Sequence, residues 1–407
     1  MKGGLVFKNT LWLTLAAMGG RAVSYGTFIL LARCFTEREV GVWAVLLTAY
    51  LFSEIISNLG LDKIVIRDVA QRPEEGERLL AAALAVKLLV SIPTGAAALA
   101  AVYWGYPEIA SAYPAAIILF FLAVPAIAVT RSLEAWHTAR ETMAIPALAQ
   151  VTERIVLLGL LSIFWLAGLP FGFFIGASAI APLARLAVVL KPAWIHLRKP
   201  RLDLARPLIS ESLVLFAVEA VAGLYLRVDL ILVSKLGSLE EAGLYNAAYR
   251  VFEFFTVVFS GYLLAIFPAL ARRARFSNFK STFQLGLLVV VVAALIGFWL
   301  RHFILGLFGP AYLAASSAFS LLMLALPLSY MTSFFSNYLV ASGQTRILLI
   351  CAPVVVAANV AMNFFFIPKI AIAGAGLAFV LSELTSCLLL LILCKIGPAR
   401  GVARPQP

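Results

Sequence analysis

Charge is what this 407-residue sequence has least of. Asp, Glu, Lys and Arg together make up 13% of it, against about 25% in soluble domains. No polar stretch is long enough to fold as a separate domain, which excludes a membrane anchor carrying a soluble catalytic module. Histidine and cysteine are scarce too. His137, His196 and His302 are far apart, and Cys34, Cys351, Cys387 and Cys394 show no C-x-x-C spacing. Neither a metal site nor a disulfide framework is signalled, and these residues read as packing residues. "GAGLAF" at 374–379 lacks the third glycine of a dinucleotide fingerprint and follows no strand. Close helix packing through small residues accounts for it. With no cofactor or nucleotide motif and no catalytic constellation, the chain reads as a non-enzyme without cofactors.

What fills the sequence is hydrocarbon-like. Hydrophobic residues make up 63% of it and the mean hydropathy is +0.99, so the chain is an all-α integral membrane protein. A bilayer core needs about 20 apolar residues per helical span. Windows of that length place spans at about 11–32, 40–60, 79–103, 112–133, 144–167 and 172–194, then at 209–234, 243–267, 282–300, 315–340, 347–367 and 374–395. Continuous runs such as "LLVVVVAALIGFWL" exclude a barrel, whose strands alternate apolar and polar residues. Lys2 and Lys8 precede an apolar run, but no small-x-small cleavage site closes it, so it is expected to remain as the first span.

The net charge of +12 raises nucleic acid as a partner, and the positive-inside rule answers it. With the N-terminus in the cytoplasm, Lys63, Arg67, Arg72, Arg78, Arg131, Arg140, Lys191 and the basic residues from Arg198 to Arg206 fall inside, whereas Arg33, Arg38, Lys235, Arg301 and Lys369 fall outside. Topology explains the charge without nucleic acid. Both termini are expected in the cytoplasm of a multi-pass protein of the inner membrane.

The two halves repeat one plan. "LLARCFTEREVGVW" at 30–43 corresponds to "LVSKLGSLEEAGLY" at 232–245, with Lys235 for Arg33, Glu241 for Glu39, Gly243 for Gly41 and Tyr245 for Trp43, an offset of 202. Six spans per repeat return the chain to the same side, so the halves are parallel lobes, 1–200 and 201–407, joined by the cytoplasmic linker "HLRKPRLDLARP" at 196–207. Each charged motif then reads as a tight external turn. Gly41 and Gly243 suit its close backbone, and Glu39 and Glu241 lie just ahead of the next span, at the positive end of its dipole.

Charge inside a span costs about 2.5–3.5 kcal/mol at the bilayer centre and marks a bundle interior or a water-filled cavity. At about 1.5 Å per residue, Arg21 lies roughly 18 Å below the turn and Glu54 roughly 20 Å below Gly41. Asn246, Arg250 and Glu253 follow i, i+4, i+7 spacing on one helix face. Their counterparts in the first lobe are Tyr50, Glu54, Ser57 and Asn58, while the seventh span contributes Glu219, Arg227 and Asp229. Arg250 with Glu253 and Arg227 with Asp229 are either internal pairs or parts of a cavity. Arg21 has no carboxylate three or four positions away, which suggests an anionic ligand or a partner on another helix. Lys87, Glu153, Arg154 and Arg185 are assigned to lobe packing, and Asn359 and Asn363 to interhelical hydrogen bonding.

Taken together, "FILLARCFTEREVGVWAVL", "NLGLDKIVIRDVAQRPEE", "YLRVDLILVSKLGSLEEAGLYNAAYRV" and "NFFFIPKIAIAGAGLAFVLSE" resemble a Wzx-type polysaccharide flippase of the multidrug/oligosaccharidyl-lipid/polysaccharide exporter superfamily. The resemblance covers nearly the whole chain. It implies twelve transmembrane helices in two six-helix lobes forming a V, and passage of a polyprenyl-diphosphate-linked oligosaccharide across the inner membrane, for O-antigen, capsule or exopolysaccharide synthesis. It implies Arg21 and Arg250, then Arg227, for the diphosphate. It leaves Glu54, Glu253, Glu219, Asp229 and Asn246 for cavity polarity or proton or sodium coupling, with membrane lipids, a polysaccharide polymerase and glycosyltransferases as partners. A drug or lipid-precursor exporter of the same superfamily is the alternative within transport. A membrane glycosyltransferase or polymerase is the alternative outside it, and lacks here the sizeable loop or catalytic domain such enzymes show.

Topology is directly testable. A cysteine introduced at Glu37 should react with an impermeant maleimide added from outside. Labelling only from the cytoplasmic face would overturn the orientation and the lobe assignment with it.

Overall fold

The computed structural model describes residues 3–194, 204–272 and 280–396. The chain is 93% helical with no strand among the described residues, which leaves no room for a barrel. Fifteen helices follow in order: α1 (Gly3–Cys34), α2 (Glu37–Asn58), α3 (Leu61–Gln71), α4 (Gly76–Gly105), α5 (Pro107–Ala112), α6 (Pro114–Leu122), α7 (Val124–Ala139), α8 (Ala144–Leu166), α9 (Phe171–Ala193), α10 (Ala205–Leu236), α11 (Leu239–Arg272), α12 (Lys280–Trp299), α13 (Arg301–Gly306), α14 (Ser316–Ala341) and α15 (Thr345–Ile396). Among the described residues nine helical stretches are long and apolar enough to cross a membrane, α15 counting once. Yet α15 reverses at Ile370 and Ala371, where Ala371 adopts φ 52° and ψ −137°. Its two arms are the expected last two spans. With α1 and α10 they complete twelve, α6 and α7 together forming one.

The charged turns are shorter than expected and are built by a device the sequence carried in plain view. Only Phe35 and Thr36 separate α1 from α2. The Glu39 carboxylate accepts from the Thr36 backbone N–H and from its hydroxyl, each at 3.0 Å, while Thr36 Oγ1 accepts from the Glu39 N–H at 3.3 Å. This is a capping box, Thr-x-x-Glu, which satisfies orphan donors of the first turn reciprocally. Ser238 and Glu241 repeat half of it, Glu241 N–H donating to Ser238 Oγ at 3.1 Å while Glu241 Oε2 has no hydrogen-bond partner among the described residues. Glu39 and Glu241 therefore lie inside the first turn of α2 and α11 and not ahead of it.

Gly41 and Gly243 also sit within helices and not in turns. They mark the point where α2 and α11 cross. A methyl group on Gly41 would collide with the Leu239 carbonyl, and one on Gly243 with the Glu37 carbonyl. The two collisions are each other's repeat equivalents, and so are the partners Arg38 and Glu240, whose ion pair at 3.1 Å spans the same 202 positions.

After α2 the chain turns through Leu59 and Gly60, both left-handed, at φ 48° and 72°. It then enters α3, which sequence windows of bilayer length pass over. Leu61, Ile64, Val65, Asp68 and Val69 form its buried face, the i, i+3, i+4, i+7, i+8 stripe of an amphipathic helix, packed with Leu79, Leu80, Leu133 and Trp136. Its polar edge binds α10: Arg67 to Glu211 at 2.5 Å and Lys63 to Glu219 at 3.0 Å. Hydrogen bonds to Asp68 and Glu211 hold the Arg67 guanidinium above its ordinary pKa. Proline sets other boundaries, at the first positions of α5 and α6 and just inside α7, where a missing N–H costs nothing. The fourth span accordingly breaks at Ala123 and runs on to Ala139, beyond the expected end at 133. Arg131, expected at the cytoplasmic surface, is thereby drawn into the helix.

By packing, the chain forms two units, Met1–Phe35 with Leu46–Gly223, and Thr36–Val45 with Leu224–Pro407. The division passes through α2 and α10. The expected linker at 196–207 lies mostly outside the described residues. Small residues close the second unit as expected of "GAGLAF": Gly374 meets the Phe366 backbone across the α15 reversal, and Gly376 meets Ala318 and Leu321 of α14.

Gly41→Ala should cost about 1–3 kcal/mol, the usual range for overpacking, read as a fall in the thermal midpoint of the purified protein. Gly306→Ala, whose added carbon meets nothing within 4 Å, should leave it unchanged. An unshifted midpoint in Gly41→Ala would show that the α2–α11 crossing is not a close contact.

Candidate functional site

In the first unit, intramembrane charge is gathered into a belt across four helices. Glu54 of α2 meets Arg131 Nε of α7 at 2.5 Å. Arg185 of α9 grips Glu134 of α7 with two hydrogen bonds, Nε to Oε1 at 2.7 Å and Nη2 to Oε2 at 2.6 Å, and reaches Glu153 of α8 through Nη1 at 3.0 Å. This is the paired fork geometry in which arginine recognises carboxylates most strongly. Lys87, fully buried in α4, pairs with Asp62 of α3. Tyr50, one turn before Glu54, lays its ring 5.2 Å from that of Phe120. Its hydroxyl is buried without a hydrogen-bond partner among the described residues.

The assignment of Lys87, Glu153 and Arg185 to packing agrees with these contacts. Sequence reasoning missed Glu134 and Asp62 altogether. The extension of α7 brings Arg131 and Glu134, three residues apart, onto adjoining positions of one helix face. Arg21 on α1 is exposed and makes no ion pair among the described residues. Glu219 is held by Lys63 at 3.0 Å and by Asn58 Nδ2 at 3.3 Å, and so belongs with the α3 edge.

The second unit pairs its charges differently from the nearest-neighbour expectation. Arg227 meets Glu253 of α11 at 3.6 Å and lies 6.0 Å from the Tyr249 ring, leaving Asp229 to other partners. Two positions apart on a helix, Arg227 and Asp229 point to different faces, so they cannot form the internal pair that their sequence proximity invites. Arg250 sits over the Trp43 ring, 5.1 Å from its centroid. Asn246 is buried, with its amide nitrogen unpartnered among the described residues.

Asp229 is only 3% exposed. It accepts a hydrogen bond from the Tyr245 hydroxyl at 3.1 Å and one from Asn363 Nδ2 at 2.7 Å. Asn363 is in turn 3.0 Å from Asn359 Oδ1, so the expected interhelical bonding of this pair centres on a carboxylate. A second carboxylate, Glu383 on the second arm of α15, is 5% exposed and accepts from the Tyr225 hydroxyl at 2.8 Å. Neither Asp229 nor Glu383 forms an ion pair with a base among the described residues. The sequence offered Glu383 only as the one acid of the last span. Nothing in its local pattern tied it to Tyr225, 158 positions away.

Among the described residues no group of His, Cys, Asp and Glu could hold a metal ion. His137 is a packing residue, with Nε2 at 3.1 Å from the Val189 carbonyl. Cys34, Cys351 and Cys387 are free thiols.

Several solved structures share this fold. The chain is similar to a multidrug resistance MATE family transporter of the MOP superfamily in an inward-facing conformation, with TM-score 0.74 and 11% identity over 93% of this chain and 94% of the other. It is also similar to the lipid II flippase MurJ in an inward closed conformation, with TM-score 0.71 and 14% identity over 95% and 87%. A MOP superfamily transporter from Pyrococcus furiosus, described by the reverse polarity of its binding pocket, matches with TM-score 0.66 and 13% identity over 96% and 95%. At such identities the likeness establishes the fold, the twelve-helix architecture of these transporters. No curated protein matches the chain in sequence. The family model described as polysaccharide biosynthesis protein matches residues 6–274, and with most of its length so matched the chain belongs to the polysaccharide biosynthesis protein family of membrane flippases and exporters.

Proposed function

We propose that the protein passes a polyprenyl-diphosphate-linked oligosaccharide across the cytoplasmic membrane for surface polysaccharide synthesis. The observation that carries this reading is Arg21: an arginine on a membrane helix, exposed and without an ion pair among the described residues. Intramembrane arginine is retained where it meets an anion, and the guanidinium fork suits phosphoryl oxygens. Family membership supplies the polysaccharide pathway, and the fold is shared with a lipid II flippase. Arg250 and Arg227, half-buried beside aromatic rings, are the proposed cations of the second unit. Both termini lie in the cytoplasm in this reading, where glycosyltransferases complete the substrate; a polymerase receives it outside.

Transport is driven by an ion gradient in the same proposal. Glu54 and Glu253 each have an arginine partner that a proton or cation displaces. Asp229 is buried among hydroxyl and amide donors without a base, a setting in which a bare carboxylate is costly and a proton or sodium ion relieves it. The two baseless carboxylates, Asp229 and Glu383, also favour a second reading, export of a cationic drug by the same fold.

In reconstituted vesicles, Arg21→Ala and Arg250→Ala should each abolish flipping with protein levels near normal, and lysine should rescue in part. A double variant at wild-type rate would reduce both to packing residues. Transport of cationic dyes in place of the lipid-linked substrate would establish the drug-exporter reading.

Gradient dependence separates a coupling carboxylate from a fixed salt bridge. Glu54→Gln, Glu253→Gln and Asp229→Asn should lose stimulation by imposed proton or sodium gradients and retain basal flipping. A wild-type protein equally fast with no gradient of ion or voltage would overturn coupling altogether.

A further inference from the structure

The two repeats part company at one point. α2 ends at Asn58, and the chain turns through Leu59 and Gly60 at φ 48° and 72°. The equivalent positions, 202 residues on, are Gly261 and Tyr262, and α11 runs straight through them to Arg272. The membrane fold therefore does not require the break. A left-handed backbone at a residue other than glycine is strained and persists where its surroundings enforce it, so the contacts made beyond Leu59 hold it there.

Those contacts are with α10, the first helix of the second repeat, over the stretch that packs within the first unit and ends at Gly223. A carbon added to Gly60 would lie 2.7 Å from the Phe216 nitrogen and 2.8 Å from the Ser212 carbonyl oxygen. Backbone meets backbone there. Asn58 and Lys63 reach Glu219 at 3.3 and 3.0 Å, and Arg67 reaches Glu211 at 2.5 Å. Lys63 and Arg67 stand four positions apart on α3, and Glu211 and Glu219 eight apart on α10, so each pair of like charges occupies one helix face.

The two sides of α3 are held by unlike means. Towards α4 and α7 the contacts are dry: the apolar stripe from Leu61 to Val69 packs with Leu79, Leu80, Leu133 and Trp136, and Asp62 pairs with Lys87, whose side chain is 0% exposed. Towards α10 the ion pairs are wet. The side chains of Lys63, Arg67 and Glu211 are 57%, 46% and 53% exposed. Of α10, Leu208 joins the apolar core, with Ala205, Ile209 and Leu215 at its margin. Exposed ion pairs contribute little and are screened by salt, whereas a buried pair resists separation. One side of α3 is anchored and the other is releasable.

We propose that α3 is a latch on the cytoplasmic end of the passage: Lys63 and Arg67 clasp Glu219 and Glu211 of α10 while that end is shut, and let go when it opens to admit substrate. This rests on the transport reading above, whose orientation puts α3 in the cytoplasm, and adds to it an element that opens and closes. Helices in backbone contact leave no gap for a sugar head group, so the seam at Gly60 parts in each cycle. Gly60 sets how close α10 comes, and the ion pairs set how readily it leaves.

Ser212 reports on the seam. It is wholly buried, and its hydroxyl donates within its own helix, to the Ile209 carbonyl at 3.1 Å, so cysteine can replace it. In full-length protein without its native cysteines, reconstituted in vesicles, Ser212→Cys should react slowly with an impermeant maleimide supplied to the cytoplasmic face. Lys63→Glu with Arg67→Glu should speed the reaction at least fivefold, and adding Glu211→Lys with Glu219→Lys should return it to the starting rate. High salt should speed it as well, and carries the test should the reversal variant not fold. A rate indifferent to reversal and to salt, or one that the charge swap does not restore, would overturn the latch. Tethering Arg67→Cys to Glu211→Cys with a reducible bis-methanethiosulfonate linker should slow flipping of a fluorescent farnesyl-diphosphate-linked disaccharide at least tenfold until reductant is added. Undiminished flipping under the tether would make the contact a static strut and overturn the latch. A wild-type protein that does not move this probe, while Ser212→Cys responds as expected, would count against the flippase reading and leave the latch supported.

Discussion

A charge buried in hydrocarbon must be matched, and this requirement organises the molecule. Breaking one side of a buried ion pair costs about 3–5 kcal/mol, so each intramembrane cation constrains the helix that carries its partner. Arg185 ties α9 to α7 and α8 through Glu134 and Glu153, and Arg131 ties α7 to α2 through Glu54. The apolar surface of these helices would pack in many rotations, because lipid tails compete with side chains on nearly equal terms. The ion pairs select one.

Backbone proximity supplies the second constraint. At Gly41 and Gly243 the carbonyl of one helix occupies the space where a side chain of the other would stand. Because the contact joins equivalent positions of the repeat, one structural solution serves both sides of the crossing. The capping box of Thr36 with Glu39 and the Ser238 cap of the Glu241 N–H lie immediately ahead of it, so helix initiation and helix crossing are set by the same few residues. This is why the motif is the most visible repeat in the chain.

The two units use charge in different ways. The first pairs the guanidiniums of Arg131 and Arg185 with Glu54, Glu134 and Glu153. The second buries Asp229 and Glu383 among tyrosine hydroxyls and asparagine amides, without a base among the described residues.

Composition and periodicity determined a good deal unaided: the membrane class, twelve spans, their approximate limits, and the repeat with its offset of 202. Hydrophobic run length is a local property set by bilayer thickness, and a repeat is visible wherever both copies retain their turn residues. The amphipathic α3 and the capping box were also legible, since the stripe Leu61, Ile64, Val65, Val69 and the Thr-x-x-Glu spacing are local signals. They were overlooked because windows sized for a bilayer pass over short elements. What only the tertiary structure decided was partnership. Arg227 with Glu253 instead of Asp229, Asp229 with Asn363, Tyr225 with Glu383, and Arg154 against Gly20 join residues on different helices. A partner across a helix interface is fixed by the rotation and depth of both helices, and no spacing within either sequence segment encodes that.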